Sequence, residues 1–432
     1  MRIRHDVATL IATSLAALSV QADWPQFRGP KQDGHAIGPD GGQSVGLPLK
    51  WSETENVKWK TALDPQGWSS PVVMHGRIWL THATPDGKDF FVSCVDDATG
   101  KILLNEKLFH SDSPEPLGNN VNCYASPSPA VEQGRVYFHF GSYGTACLDS
   151  QTFKTIWKRD DLPCRHFRGP ASSVVLHENL LILTMDGVDQ QYLTALNRTD
   201  GKTVWRTDRT TEWGDIGANG KPAGDGDSRK GFTTPLIVEL AGRTQMISAG
   251  SKAAYSYDPR SGKELWKIRY PGHTPAMTSV AGQGLAFIAT GNGPSELLAV
   301  RLDGSGDVTD SHVVWKASRG VPRMPSPILT NNRLYLAGDN GVVTCLQAST
   351  GRELWQERIG GSLYASPVLA DGRIFCFSST GETTVLKEGD TFELLTRNQL
   401  DAGFMASPAI SGRAFILRTK THLYRIEEIL AK

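Results

Sequence analysis

The feature that most limits what this chain can fold into is a tryptophan that returns with its neighbours. Trp157, Trp205, Trp266, Trp315 and Trp355 follow one another at separations of 48, 61, 49 and 40 residues. Three of them end the same phrase: Asp200-Gly201-Lys202-Thr203-Val204-Trp205, Ser261-Gly262-Lys263-Glu264-Leu265-Trp266 and Thr350-Gly351-Arg352-Glu353-Leu354-Trp355. Thr99-Gly100-Lys101 continues the series with Leu104 in the tryptophan position, and Trp59 stands one period earlier. Repeats of this length mark architectures in which each unit buries its apolar face only against its neighbours.

A second marker lies downstream of each tryptophan: Ser70-Pro71, Ser126-Pro127, Thr234-Pro235, Ser326-Pro327, Ser366-Pro367 and Ser407-Pro408, with Ser173-Val174 and Ser279-Val280 as degenerate copies. Each opens an apolar stretch, then a turn such as Gly76-Arg77 or Gly372-Arg373, then a second strand. Proline suits the opening because it donates no hydrogen bond and is tolerated at the first residue of a strand. A third strand runs into the Thr/Ser-Gly turn, where glycine accepts positive φ, and the tryptophan strand returns as the fourth. Four strands in about 40 residues make one propeller blade. The fold expected is all-β, an eight-bladed β-propeller of four-stranded antiparallel blades spanning residues 51–432. Residues 407–427 hold three strands and no tryptophan strand, so Val57-Lys58-Trp59-Lys60-Thr61 is expected to complete the last blade and remove its free edges. Trp59, Trp157, Trp205, Trp266, Trp315 and Trp355 are read as structural. Burying an indole of about 150–250 Å² at about 25 cal/mol per Å² contributes roughly 4–6 kcal/mol at most.

The chain balances 45 Lys and Arg against 45 Asp and Glu. No global field would draw in nucleic acid or an anionic membrane surface, so nucleic acid is not an expected partner. Met1-Arg2-Ile3-Arg4-His5 is basic, and residues 7–20 form an apolar run too short to cross a bilayer comfortably. Residues 1–22 are therefore expected to be a signal peptide cleaved after Ala22, leaving a periplasmic or secreted monomer without a transmembrane segment. The competing reading, a retained anchor, lacks a charged stop-transfer flank. The first cysteine, Cys94, is too far along to carry a lipid at the mature N-terminus. Residues 23–50 are expected to form an N-terminal extension.

At these repeats the chain resembles the pyrroloquinoline-quinone-like (quinoprotein) propeller family, whose pattern is Ala-x-Asp-x-x-Thr-Gly-x-x-x-Trp. The nearest copies are Val95-Asp96-Asp97-Ala98-Thr99-Gly100 and Leu346-Gln347-Ala348-Ser349-Thr350-Gly351 with Trp355, and the resemblance covers nearly the whole mature chain. The opening Trp24-Pro25-Gln26-Phe27-Arg28-Gly29-Pro30, and the segment from Gly306 to Trp315, are similar to exported repeat proteins of planctomycete-type bacteria. The resemblance implies one of two branches: cofactor-bearing dehydrogenases, or an eight-bladed outer-membrane assembly lipoprotein that binds partners and holds no quinone. The dehydrogenases carry adjacent cysteines in a vicinal disulfide and a Glu/Asn/Asp calcium site, whereas none of the six cysteines here adjoins another. The resemblance therefore implies fold more than cofactor. No cofactor is expected, with quinone and calcium as the alternative.

Cys94, Cys147 and Cys345 each precede a turn residue (Gly100, Phe153, Gly351) by six positions, where Ala195, Ser256 and Ala299 stand in other blades. A slot taken only by small residues reads as packing. Cys123 and Cys164, in loops of an exported chain, could form a disulfide or remain thiols. Asp303-Gly304-Ser305-Gly306-Asp307 and Asp225-Gly226-Asp227 offer oxygen ligands but lack the downstream Glu of an EF-hand. His139, His166 and His312 show no metal spacing, and no Gly-x-Ser-x-Gly elbow is present. Neither catalytic residues nor metal ligands are assigned. The long Gly-rich insertion, residues 207–231, reads as a mobile flap over one face.

Three residues before each strand-opening Pro or its Val equivalent stand Trp68, Tyr124, Ala171, Phe232, Met277, Met324, Tyr364 and Met405. They are expected to ring one mouth of the channel, either sealing it or forming an adaptable apolar platform. Phe27-Arg28-Gly29-Pro30 recurs as Phe167-Arg168-Gly169-Pro170, and Arg168 adds a charge to the same rim. The expected function is an exported, non-catalytic scaffold binding protein or peptide partners at this mouth. The alternatives are a quinone- or metal-dependent oxidoreductase on the same face, and a carbohydrate-binding propeller.

Overall fold

A computed structural model describes residues 23–38 and 44–429, so the expected signal peptide lies outside the described residues. Seven blades follow in chain order at residues 72–110, 130–159, 175–208, 236–269, 280–317, 328–358 and 368–399. In the first, Val72–Met74, Arg77–Ala83, Asp89–Asp96 and Ile102–His110 pair in sequence order from the channel outward. The eighth is composite: Ala409–Ser411, Ala414–Arg418 and His422–Ile426 are completed by Val57–Ala62. Trp59 faces Arg425 and Thr61 faces Leu423 in that antiparallel pair, so the ring closes as the repeat predicts. The blade at residues 236–269 adds a feature the repeat does not announce. Gly306–Asp307 pairs in parallel with Trp266 and Lys267, making a fifth strand at its edge.

The repeated tryptophans join each blade to the next. A Cβ on Gly100 would sit 2.7 Å from the Trp59 ring, and φ at Gly100 is +73°, so both space and backbone demand glycine there. Trp157 meets Gly201, Trp205 meets Gly262 and Trp315 meets Gly351 in the same way. Each indole nitrogen donates to the neighbouring blade's turn: Trp59 to Asp97 O (2.8 Å), Trp157 to Arg198 O (3.0 Å), Trp315 to Ala348 O (2.9 Å) and Trp355 to Gly389 O (3.2 Å). Trp266 departs from this pattern, donating to Gln245 Oε1 (3.0 Å) of its own blade beneath the loop that carries Gly306.

The same seam explains the small-residue slot. Cys147 lies opposite Trp157, Cys345 opposite Trp355, Ala195 opposite Trp205 and Ala299 opposite Trp315, so each indole crosses over a short side chain on the adjacent strand. Burial pushes the thiols of Cys94, Cys147 and Cys345 up to about 12, which keeps them protonated and inert. All six cysteines are unbonded, Cys123 and Cys164 included.

Candidate binding site

The N-terminal extension does not hang from the ring; it enters the channel. Trp24 pairs with Val73 (2.9 and 2.8 Å), Pro25 O accepts from Val131 N (2.8 Å), and Ala36 N donates to Leu369 O (2.9 Å). Gln32 reaches Pro235 O (3.2 Å). These contacts touch the innermost strands of four different blades. At the centre Arg28, 2% exposed, donates to Gln32 O (3.2 Å), Asp33 O (2.7 Å), Ser326 O (3.0 Å) and Pro327 O (2.6 Å). Buried carbonyls need such donors, and one guanidinium supplies them all. Burial lowers the Arg28 pKa to about 10. The segment closes one end of the channel, with Phe27 at its inner tip.

The other end remains open as a cavity of about 600 Å³. Trp68, Phe232, Met324, Tyr364 and Met405 line it, as does Ala171. Tyr124 and Met277 do not, and each corrects a misplaced register. The second blade is opened by Ser128-Pro129, because its first strand begins at Ala130; counting from Ser126-Pro127 shifts the marker by two residues. Ser126 therefore takes the channel position. Tyr124 is buried against Phe90 (6.5 Å) and Tyr143 (6.2 Å) and donates to Glu115 O (2.9 Å). The fifth blade opens at Thr278-Ser279, one residue earlier than Ser279-Val280, and a one-residue slip exchanges the faces of a strand. Ala276 faces the cavity, while Met277, fully buried, joins the apolar cluster with Val280 and Phe287.

In the sequence the serines of the Ser-Pro markers announce only the opening of strands. They form a ring. Ser70, Ser128, Ser173, Thr234, Thr278, Ser326, Ser366 and Ser407 all border the cavity. Backbone N–H groups link them in order: Ser70 N to Ser128 Oγ (2.9 Å), Ser128 N to Ser173 Oγ (3.0 Å), Ser173 N to Thr234 Oγ1 (3.0 Å), Thr278 N to Ser326 Oγ (3.1 Å), Ser326 N to Ser366 Oγ (3.0 Å), Ser366 N to Ser407 Oγ (2.9 Å) and Ser407 N to Ser70 Oγ (3.0 Å). The recurrence of a hydroxyl at every marker was the available signal.

Long loops between the first five blades wall one side of the mouth. Arg168 borders the cavity, stacks on Phe167 and forms a two-pronged ion pair with Asp227 (2.7 and 2.8 Å). Asn122 ties this loop down through Arg168 O (2.8 Å). The Gly-rich insertion supplies Ala223, Gly224, Asp227 and Ser228 and is anchored at both ends. Arg209 pairs with Asp186 (2.7 Å) in a buried contact, and Arg229 pairs with Asp215. Beneath it Lys230 contacts His166 Nδ1 (3.2 Å), and burial lowers the ammonium pKa to about 8. His139 bonds Thr145 Oγ1 (2.8 Å), whereas His312 lies beside Asp303 (3.4 Å) near the outer edge of its blade. Asp307 bonds Thr309 and pairs with Arg269 (3.0 Å). Among the described residues, no three His, Cys, Asp or Glu gather as a metal site.

A closed eight-bladed ring, plugged at one end and open at the other over an aromatic and hydroxyl-lined cavity, defines a β-propeller with a blind mouth. A family model described as outer membrane protein assembly factor BamB matches residues 51–208, 189–305 and 305–394, and the chain belongs to that family. Outer membrane protein assembly factor BamB of Shewanella oneidensis is 24% identical over 261 residues, covering 56% of this chain and 59% of that protein. Polyvinylalcohol dehydrogenase of a Pseudomonas species is 23% identical over 218 residues, covering 43% of this chain and 33% of that protein. The chain thus matches less than two thirds of the length of either relative. Among solved structures, BamB from Moraxella catarrhalis aligns with a TM-score of 0.60 at 13% identity, covering 85% of this chain and 99% of that one. The computationally designed Ika8 protein aligns at 0.58 and 10% identity, covering 88% and 100%. These two likenesses concern fold. No helix among the described residues is long and apolar enough to cross a membrane.

Proposed function

We propose that this protein is an exported, non-catalytic scaffold that binds protein or peptide partners in its blind mouth. The observation that carries this reading is the cavity itself, with Trp68, Phe232, Met324, Tyr364 and Met405 converging above a closed floor. Its volume of about 600 Å³ falls within the range of about 300–1,000 Å³ usual for ligand sites. Unbranched methionines beside rigid aromatic rings suit surfaces that adapt to side chains of a partner. The family's assembly-factor relatives support protein partners, and the basic-then-apolar N-terminus supports export.

The calcium-bound quinone of the dehydrogenase branch does not fit these residues. Of the residues lining the cavity, Asp227 alone carries a carboxylate, and Arg168 takes both its oxygens. A photoreactive amino acid placed at Tyr364 or Met405 in cells should give a discrete protein adduct that Trp68→Ala abolishes. The control position is exposed Val204 on an outer strand. Adducts no stronger at the mouth than at Val204 would defeat the scaffold reading.

A further inference from the structure

Resting on that reading, the geometry points to a specific ligand: we infer that the mouth receives the free C-terminal carboxylate of a partner peptide, seated on the serine and threonine ring, with apolar terminal side chains against the aromatic wall. The first argument is topological. Trp24 to Ala36 occupy the far end of the channel, so nothing can be threaded through it, and a blind site of this depth admits a chain end rather than a passing segment.

The second argument concerns which end. All eight ring residues are at least nine-tenths buried, from 1% exposure at Ser128 and Ser326 to 7% at Ser407. Seven of their hydroxyl oxygens accept a backbone N–H from a ring neighbour. Among the described residues, none of the eight hydroxyls donates to a protein acceptor. A hydroxyl that accepts without donating still has its proton to offer, so the ring is a circle of convergent donors. A carboxylate, acceptor-only with two oxygens, satisfies several of these protons at once; an ammonium terminus would leave them unused, finding only the one lone pair each hydroxyl has left.

Charge agrees. Arg28 lies directly under the ring through Ser326 O; its neighbouring carboxylate, Asp33, accepts from His35 N (3.0 Å) and offsets part of the guanidinium charge. Arg418, fully buried behind the wall beside Trp68, donates to Ser69 Oγ (2.6 Å), Ser69 O (3.0 Å) and Thr81 O (3.1 Å), with no carboxylate among its partners. Burial lowers its pKa to about 10. Arg323 borders the cavity and forms no ion pair among the described residues. The one lining carboxylate, Asp227, is neutralised by Arg168. Cations therefore outnumber free anions around the floor, and against a buried floor their attraction for a carboxylate is stronger than in open solvent.

The test uses the mature protein and two degenerate N-acetylated hexapeptide pools that differ only in a free C-terminal carboxylate against a C-terminal amide. After ultrafiltration, mass spectrometry reads the retained peptides. The expected result is at least tenfold preferential retention of acids, enriched in apolar or aromatic terminal residues, with Tyr364→Ala abolishing the enrichment. Serine-to-alanine changes in the ring also remove acceptors for buried N–H groups and endanger folding, so exposed Arg323→Gln serves as the second variant, expected to weaken acid retention about 3- to 10-fold and leave amides unchanged. Equal retention of acids and amides, both lost in Tyr364→Ala, would overturn the carboxylate assignment while leaving the mouth as a peptide site. Retention of neither pool would overturn it as well, and the cross-linking at Tyr364 then decides separately whether the mouth binds proteins at all.

Discussion

Phe27-Arg28-Gly29-Pro30 and Phe167-Arg168-Gly169-Pro170 are the same four residues in opposite circumstances. Their backbones agree: φ is +65° and +71° at the two arginines and +84° and +77° at the glycines. Both glycines are hemmed in, a Cβ on Gly29 falling 2.9 Å from the Trp24 ring and one on Gly169 falling 2.8 Å from Cys123 O. The arginines nevertheless do different work. Arg28 is sealed inside the channel and serves four backbone carbonyls, whereas the Arg168 side chain, 31% exposed, faces one carboxylate at the mouth. Local sequence sets the turn, and the surroundings that the turn is delivered into set the role. One copy makes the channel blind; the other decorates the opening that remains.

The contrast predicts unequal costs. Arg28→Met keeps volume and apolar contact but leaves buried carbonyl oxygens without donors, at about 1–3 kcal/mol each. Because the cost of burying the guanidinium is relieved at the same time, a net loss of about 3–5 kcal/mol is expected, read as a lower urea midpoint, together with faster hydrogen exchange at Val131 and Leu369, whose amides the plug occupies. A loss below about 1 kcal/mol would mean that the plug is not held by Arg28 and that the two copies are closer in role than their environments indicate.

Acid probes the same contrast at smaller amplitude, because the most deeply buried histidines lie on the mouth side. Burial lowers the pKa of His82 and His139 to about 3 and takes His166 well below 6.5, while the plug contributes only the less buried His35, shifted the same way. Between pH 6.5 and about 3 the unfolded chain binds protons that the folded chain does not, so stability is complete above pH 6.5 and falls as pH falls. Each fully shifted histidine contributes about 1.4 kcal/mol per pH unit in that window. His139→Gln should flatten the decline of the urea midpoint between pH 6 and 5 by about one such step; an unchanged slope would show that His139 is not buried neutral.

Much of this architecture was legible in the repeat. The Trp–Gly phrase encodes a contact between consecutive blades, and such contacts impose themselves on every copy, which is why the closing strand at Trp59 could be placed from sequence. The rim was less legible because its register depends on which of two adjacent signals opens a strand. Ser126-Pro127-Ser128-Pro129 contains the marker twice, and only the pairing of Ala130 with Tyr137 selects the second. Ser279-Val280 imitates the marker one residue late, and period two then exchanges Ala276 and Met277 between channel and core. The plug was illegible for a different reason. Residues 23–38 belong to no repeat, and their partners, Val73, Val131, Pro235, Ser326 and Leu369, are scattered over nearly 300 positions of chain that only the closed ring gathers.

The smallest effect is the most discriminating. Arg168→Met breaks a pair whose two side chains are 31% and 34% exposed, and exposed pairs of this kind contribute about 0.2–1 kcal/mol. Stability should therefore barely change. The mouth should change more, because Asp227 is left as an uncompensated anion at the edge of a cavity whose other charged lining residue is Arg323. Retention of the free-acid peptides should drop severalfold, and Asp227→Asn in the same chain should restore it by removing the charge that Arg168 neutralises. If Arg168→Met instead lowers the urea midpoint as far as Arg28→Met does, the two copies of the motif are both structural, and the division between a sealed end and a binding end fails.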